Sequence, residues 1–387
     1  MKYLKKFRVL FFLIGCFILG FLTMPLLHGA YAESLFNSYT HFAWYYHLLF
    51  FIGVFFLSLV FHELTHLIVF LLNGYQNEVL IILFLVFYKK NQKWRLKVDF
   101  KLLLLGGGIV FPNLGSIEDE AAFSRARKAV ERSLLAAPLF TLISSTTLFI
   151  LSFTIFYRNG FLVPVSLYGL FVGAFFTYLS AKEAPQMYGD FKAYKKIKTD
   201  DLFALATIQQ YTTNLSTYQK GLMEEYLKDQ LPIKNDLTAL TFFINLLDHA
   251  IFEENEVNLF LYEKVSYYAL NPSSFRRVLS SPLNAEFAQA VIFYLDRLNF
   301  KTEALKLKEL FFNHLASLNK KEKMKTYLTK QTDHILGLSD EKEFLNDSKN
   351  FNKGLLTFLF KNIPSFLASE QVRNDGYKPL KLYCPLK

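Results

Sequence analysis

The sequence predicts a mainly α protein: about four membrane-spanning helices with a small β-hairpin at the membrane surface, followed by a soluble all-α domain. Three observations predict it. Of 387 residues, 52% are hydrophobic and 17% aromatic, with 43 phenylalanines, well above ordinary globular usage. The apolar residues gather into four long runs before residue 180, each matching or exceeding the ~20 residues that a 30 Å hydrocarbon core requires. The charge divides too: residues 1–199 carry 20 Lys and Arg against 10 Asp and Glu, residues 200–387 carry 23 of each, and the net +10 belongs to the first half.

The first run, Val9 to Leu27, follows Lys2, Lys5, Lys6 and Arg8. Residues 1–32 are expected to form a transmembrane segment or signal-like anchor, because a basic start, an apolar stretch and Ala30-Tyr31-Ala32 ahead of Glu33 also resemble a secretory signal. Its 19 apolar residues exceed the usual signal core of about 7 to 15, which favours an uncleaved span. The second run, Ala43 to Leu72, is long enough that it must tilt, break or protrude. Val79 to Tyr88 offers only ten apolar residues, too few to span as a helix, and reads as a strand. Lys89-Lys90-Asn91-Gln92-Lys93 then makes a polar turn, after which Arg95, Lys97, Asp99 and Lys101 alternate with Leu96, Val98, Phe100 and Leu102. That is the period of a half-buried strand, so a hairpin on the cytoplasmic membrane surface is expected. Gly106-Gly107-Gly108 follows it, where the backbone can turn tightly. The third and fourth runs are Ser133 to Tyr157 and Phe161 to Leu179.

Basic residues set the expected topology. None lies between His28 and Phe42, ten lie between Lys89 and Arg132, Arg158 alone occupies the turn between the third and fourth runs, and Lys192, Lys195, Lys196 and Lys198 follow the fourth. Both termini are therefore expected in the cytoplasm of a protein integral to a membrane, the bacterial cell membrane by expectation. The basic excess sits at membrane borders with no nucleic-acid motif beside it, which points to the lipid bilayer and excludes a nucleic-acid partner. Cys16 and Cys384 are the only cysteines and provide neither a disulfide framework nor a cysteine metal site.

Residues 200–387 read as a cytoplasmic helical domain, with helices expected at Leu202 to Tyr211, Tyr218 to Asp229, Asp236 to Glu253, Val257 to Ala269, Ala285 to Leu298 and Thr302 to Leu318. Asn271-Pro272 and Ser281-Pro282 punctuate them, and Asn299-Phe300-Lys301 joins a helical hairpin. His249, His314 and His334 are scattered and form no catalytic pattern. A charge-balanced helical domain in this place suits the docking of a protein partner, control of substrate access or dimerisation.

His62-Glu63-Leu64-Thr65-His66 lies inside the second run. Histidines at i and i+4 of a helix share one face about one turn apart and can grip one zinc ion, while Glu63 stands beside them as a base. Zinc lowers the pKa of its bound water to roughly 7, and a carboxylate can take the proton as the water attacks a carbonyl. With eight histidines in the chain, a chance match is expected in about one such chain in a hundred. Placing two histidines and a glutamate among lipid-compatible residues would also be expensive without a function. Two histidines leave the ion under-coordinated, so a third protein ligand is required. His47 is a poor candidate, since 15 residues of helix place it about 22 Å from His62.

Three separated features resemble the site-2 protease family of intramembrane zinc metalloproteases. They are His62 to His66 within a span, Leu134-Leu135-Ala136-Ala137-Pro138-Leu139, similar to the family's Ala-Gly-Pro-Leu motif, and Pro185-Gln186-Met187-Tyr188-Gly189-Asp190, similar to its proline-to-aspartate segment. The chain departs from the pattern at Lys182, where Asn is usual, and at Phe191 and Ala137, where Gly is usual. The resemblance implies a metalloprotease core over residues 43–199, with His62, His66 and Asp190 holding Zn2+ and Glu63 catalytic; Glu183 remains the alternative third ligand. It implies a membrane protein or membrane peptide as substrate, cut near the cytoplasmic side. The alternative is a non-catalytic membrane protein that binds a membrane peptide in a regulatory or immunity role.

Overall fold

The structure is a computed structural model describing residues 29–105, 107–184, 187–212, 214–280, 284–317, 322–351, 353, 364–376 and 380. The run Val9 to Leu27, both cysteines, Gly106, Pro185-Gln186 and Ser281-Pro282 lie outside the described residues. Two compact units emerge: one holds the described residues up to Thr65 and Leu135–Lys192, the other His66–Leu134 and Ala193–Lys387.

The first unit is built on helices that read as membrane spans. It begins with α1 (Ala30–Tyr39) and carries most of α2 (Trp44–Leu72), the apolar part of α3 (Glu120–Thr154) and α4 (Leu162–Ser180). Helices α2, α3 and α4 are each long and apolar enough to cross a membrane. With 29 residues, α2 runs about 43 Å and exceeds the ~30 Å hydrocarbon core, so it tilts or protrudes. Helix α3 starts well before the apolar run at Ser133 because Asp119 accepts the Ala122 N–H at 2.6 Å and caps it. Its first turns carry Arg125, Arg127, Lys128 and Arg132, which hydropathy alone does not register as helix. Small residues let α3 and α4 approach closely: a Cβ on Gly173 would overlap Ser145. Near the start of α2, the Tyr168 hydroxyl lies 3.1 Å from that of Tyr39 and 3.0 Å from His47 Nδ1.

In the second unit, a four-stranded antiparallel sheet replaces the simple hairpin expected. Strands β1 (Gln76–Ile82), β2 (Leu85–Lys90), β3 (Lys93–Val98) and β4 (Gly108–Asn113) lie in the order β3-β2-β1-β4. The apolar run Val79 to Tyr88 is two strands rather than one. Leu83 adopts φ 53° and turns the chain, so that Ile82 pairs with Leu85. Asn91 and Gln92, at φ 52° and 60°, form the two-residue turn that pairs Lys90 with Lys93, the conformation that favours hairpins. Val79, Ile81, Val86 and Leu102 pack as the sheet's core, with Ile109, Phe111 and Phe366 against them.

After α5 (Asp190–Thr199), the six helices expected beyond residue 200 form nearly where the periodicity puts them, as α6 (Asp201–Gln209), α7 (Thr217–Leu227), α8 (Leu237–Phe252), α9 (Leu259–Leu270), α11 (Asn284–Arg297) and α12 (Lys301–Ser317), while the short α10 (Pro272–Val278) occupies the Asn271-Pro272 break read as punctuation. Their starts are chemically marked. Asp200, Ser216, Asp236 and Asn258 each accept a backbone N–H of the first turn, and Ser216 forms a capping box with Gln219. Asn299, at φ 67°, turns α11 into α12. Phe243, Tyr268, Phe275 and Phe287 interlock as the aromatic core. Helices α13 (Glu322–Ile335), α14 (Lys342–Asn346) and α15 (Pro364–Asp375) complete the described chain. Here the interior is charged: Lys353 Nζ lies 2.8 Å from Glu370, which also accepts from Gln331 at 3.0 Å, while Arg373 binds Asp248.

Candidate metal centre

Helix α2 brings His62 and His66 to one face, with Glu63 beside them, and all three side chains are buried. Their apolar neighbours Phe61, Ile68 and Leu71 are exposed. Each histidine is held through Nδ1 by a hydroxyl of α3: His62 Nδ1 lies 3.1 Å from Thr141 Oγ1, and His66 Nδ1 lies 2.9 Å from Ser133 Oγ. The Nε2 atom of His62 faces Asp190 Oδ2 at 3.0 Å.

Asp190 reaches that position through a short, tightly built turn. After α4 ends at Ser180, β5 (Glu183–Ala184) and β6 (Met187–Tyr188) pair antiparallel. Gly189 N–H then donates to the Lys182 carbonyl at 3.0 Å. A Cβ at Gly189 would overlap the Leu179 and Ser180 carbonyl oxygens, so glycine is required for the chain to pass the end of α4. Asp190 is the next residue and opens α5.

The unbroken α2 carries His66 one turn beyond His62, and one ligand atom from each of His62, His66 and Asp190 lies within 4.8 Å of the others. Ligands bound tetrahedrally to zinc at ~2.0–2.1 Å stand about 3.3 Å apart, so two imidazoles and a carboxylate at this spacing suit the ion with small side-chain adjustments. Among the described residues these three form the one group of His, Cys, Asp or Glu so arranged.

Glu183, the alternative third ligand, is not in that group; its exposed side chain lies 3.9 Å from Lys192. His47 turns to Tyr168. His249 lies 3.1 Å from Glu253, and His334 contacts the carbonyls of Ser339 and Asn374. A cleft of about 450 Å³ at the sheet, lined by Gln76, Asn77, Glu78, Lys89 and Asn113 among others, contains none of the candidate site residues. Sequence reasoning missed Thr141, Ser133 and Gly189. The available signal was hydroxyl residues within apolar stretches and a glycine directly before the acidic candidate.

No curated protein and no solved structure matches the chain. The family model Peptidase_M50, described as Peptidase family M50, matches residues 50–342. That stretch takes in more than half of the chain, including the histidine pair, the sheet and much of the helical region. On that extent the chain belongs to Peptidase family M50, the site-2 protease family of membrane metallopeptidases.

Proposed function

We propose that the protein is an intramembrane zinc endopeptidase, in which His62, His66 and Asp190 hold the metal and Glu63 is the acid–base. The observation that carries this reading is the 3.0 Å approach of Asp190 to His62 Nε2, on the helix face that also bears His66. Bound zinc would supply Lewis acidity and lower the pKa of a water to roughly 7. Glu63, next to His62 and buried, then accepts the proton of the attacking water and delivers it to the leaving amine as the peptide bond breaks. The His62, Glu63 and His66 side chains are buried within the protein, which spares their polar groups contact with hydrocarbon.

The substrates are membrane-embedded peptides or membrane-tethered regulators. The histidines sit toward the end of α2 that precedes the basic residues between Lys89 and Arg132, so the positive-inside rule supports cleavage near the cytoplasmic side, with both termini cytoplasmic. Residues 43–199 would form the protease core, behind an anchor at residues 1–32, and residues 200–387 a cytoplasmic domain suited to a protein partner. The non-catalytic alternative drew on the altered neighbours of Asp190, and the contact with His62 supports the ligand reading instead.

The test uses full-length protein in proteoliposomes with single-span peptides, reading products by mass spectrometry. Cleavage by the wild type, lost in Glu63→Gln with zinc still bound, is expected. Equal cleavage by Glu63→Gln would overturn the assignment.

A further inference from the structure

Both histidines of the candidate centre are gripped from behind by hydroxyls on one helix, and the hydrogen bonding of one of these is directional. Thr141 Oγ1 lies 3.0 Å from the Ala137 carbonyl oxygen and 3.1 Å from His62 Nδ1. A threonine hydroxyl has a single proton and two lone pairs. A carbonyl oxygen can only accept, so the Thr141 proton goes to Ala137, the usual back-bond of a helical threonine to the residue four before it. Oγ1 is left facing His62 Nδ1 with lone pairs alone. The Nδ1 position must therefore carry a proton, which it donates to Thr141. The other ring nitrogen, Nε2, is the one that faces Asp190 Oδ2.

We propose that Thr141 is a positioning residue of the metal centre: it accepts the Nδ1 proton of His62 and so holds the imidazole in the tautomer whose Nε2 is ready to bind a divalent cation. The inference rests on the metal-site reading above and adds to it a residue that touches neither substrate nor reacting atoms. Metal-ligating histidines generally donate their other ring N–H to an acceptor, which fixes ring orientation and raises ligand basicity. Here the acceptor is a neutral hydroxyl, itself oriented by the α3 backbone and almost wholly buried. Solvent does not compete for the bond, and the orientation of the ring is set by the fold. Ser133, 2.9 Å from His66 Nδ1 and also buried, orients the second ring. Ser133 and Thr141 flank Pro138, which lies within α3. Residues on either side of that proline thus each contact one of the two histidines.

The experiment is zinc affinity of full-length protein in detergent, measured by competition with a chromophoric chelator for wild type, Thr141→Val and Thr141→Ser. Valine keeps the shape of threonine and removes the acceptor; serine restores it. Affinity is expected to fall roughly 10–100-fold in Thr141→Val and to return to near the wild-type value in Thr141→Ser. Equal affinity in wild type and Thr141→Val overturns the inference while leaving the metal site standing; a wild type that binds no zinc overturns the metal reading itself. Nitrogen NMR of the metal-free wild type provides a second reading that needs no variant. A protonated Nδ1 on His62 is expected, and an unprotonated Nδ1 overturns the inference even if Thr141→Val fails to fold.

Discussion

The spanning helices and the helical region after Asp200 are both rich in Leu and Phe, yet α2 leaves many of its apolar residues exposed and buries ionisable ones, whereas the later region builds an apolar core. In α2, Leu57, Phe61 and Ile68 are 53%, 52% and 50% exposed, while His62, Glu63 and His66 are less than 10% exposed. In α8, Leu240, Phe242, Phe243, Leu246 and Leu247 are buried, and that face makes the core. The difference is one of solvent. Against hydrocarbon an apolar side chain gains little by turning inward, and a polar one must. Against water the preference reverses. A buried ionisable side chain in the spanning helices therefore marks candidate chemistry, whereas apolar burial after residue 200 marks packing. The Lys353–Glu370–Arg373 cluster is one exception in the second region, where its ion pairs account for it; Lys264 and Arg297 are also buried and donate to backbone carbonyls.

The comparison breaks most visibly at the two buried glutamates. Glu63→Gln is expected to lower turnover by roughly 10²–10⁴-fold, the usual contribution of a general acid–base, with little change in unfolding. Glu370→Gln is expected to do the reverse. It leaves the Lys353 ammonium buried without its partner, which costs about 3–5 kcal/mol, and chemistry in the surviving folded protein is unchanged. Chemical unfolding in micelles beside a cleavage assay separates the two; a stability loss in Glu63→Gln matching that of Glu370→Gln would erase the distinction.

The same cluster predicts a pH limb. Burial alone would raise the Glu370 carboxyl, but Lys353 and Arg373 outweigh it and hold the group below its ordinary value of 4.5. A depressed folded pKa means that the stability from Glu370 is fully present above 4.5 and is lost as pH falls through the lower folded value. Acid unfolding of wild type should steepen in that window and flatten in Glu370→Gln; superimposable acid limbs would contradict the assigned direction.

Smaller effects sharpen the solvent argument. Leu247→Ala, in a fully buried position, is expected to cost about 2–5 kcal/mol. Leu57→Ala, on the exposed face of α2, is expected to stay within about 0.5 kcal/mol. Comparable losses at both positions, measured as unfolding midpoints in micelles, would mean that Leu57 packs against protein.

Much of this was legible in the sequence because the relevant signals are local. The helices after residue 200 follow from apolar periodicity and from caps such as Asp236 and Ser216, and the three described spans follow from run length. The His62–His66 pair is legible because helix geometry fixes its spacing. The sheet was read incompletely: a ten-residue apolar run does not reveal that Leu83 will take φ 53° and divide it. The early start of α3 was missed because its charged first turns hide the helix from a hydropathy reading. Thr141 and Ser133 depend on which helix packs behind α2, and Gly189 on the carbonyls at the end of α4. Those are tertiary facts with no sequence period. Lys353 and Glu370 likewise read as solvated charges until their burial is known.

The central claim is that Asp190, rather than Glu183, completes the centre on His62 and His66. Zinc content of the purified full-length protein, alongside Asp190→Ala and Glu183→Ala, tests it most directly. The account predicts roughly one zinc per chain in the wild type and in Glu183→Ala, and loss of the metal in Asp190→Ala. Zinc retained in Asp190→Ala and lost in Glu183→Ala would contradict it.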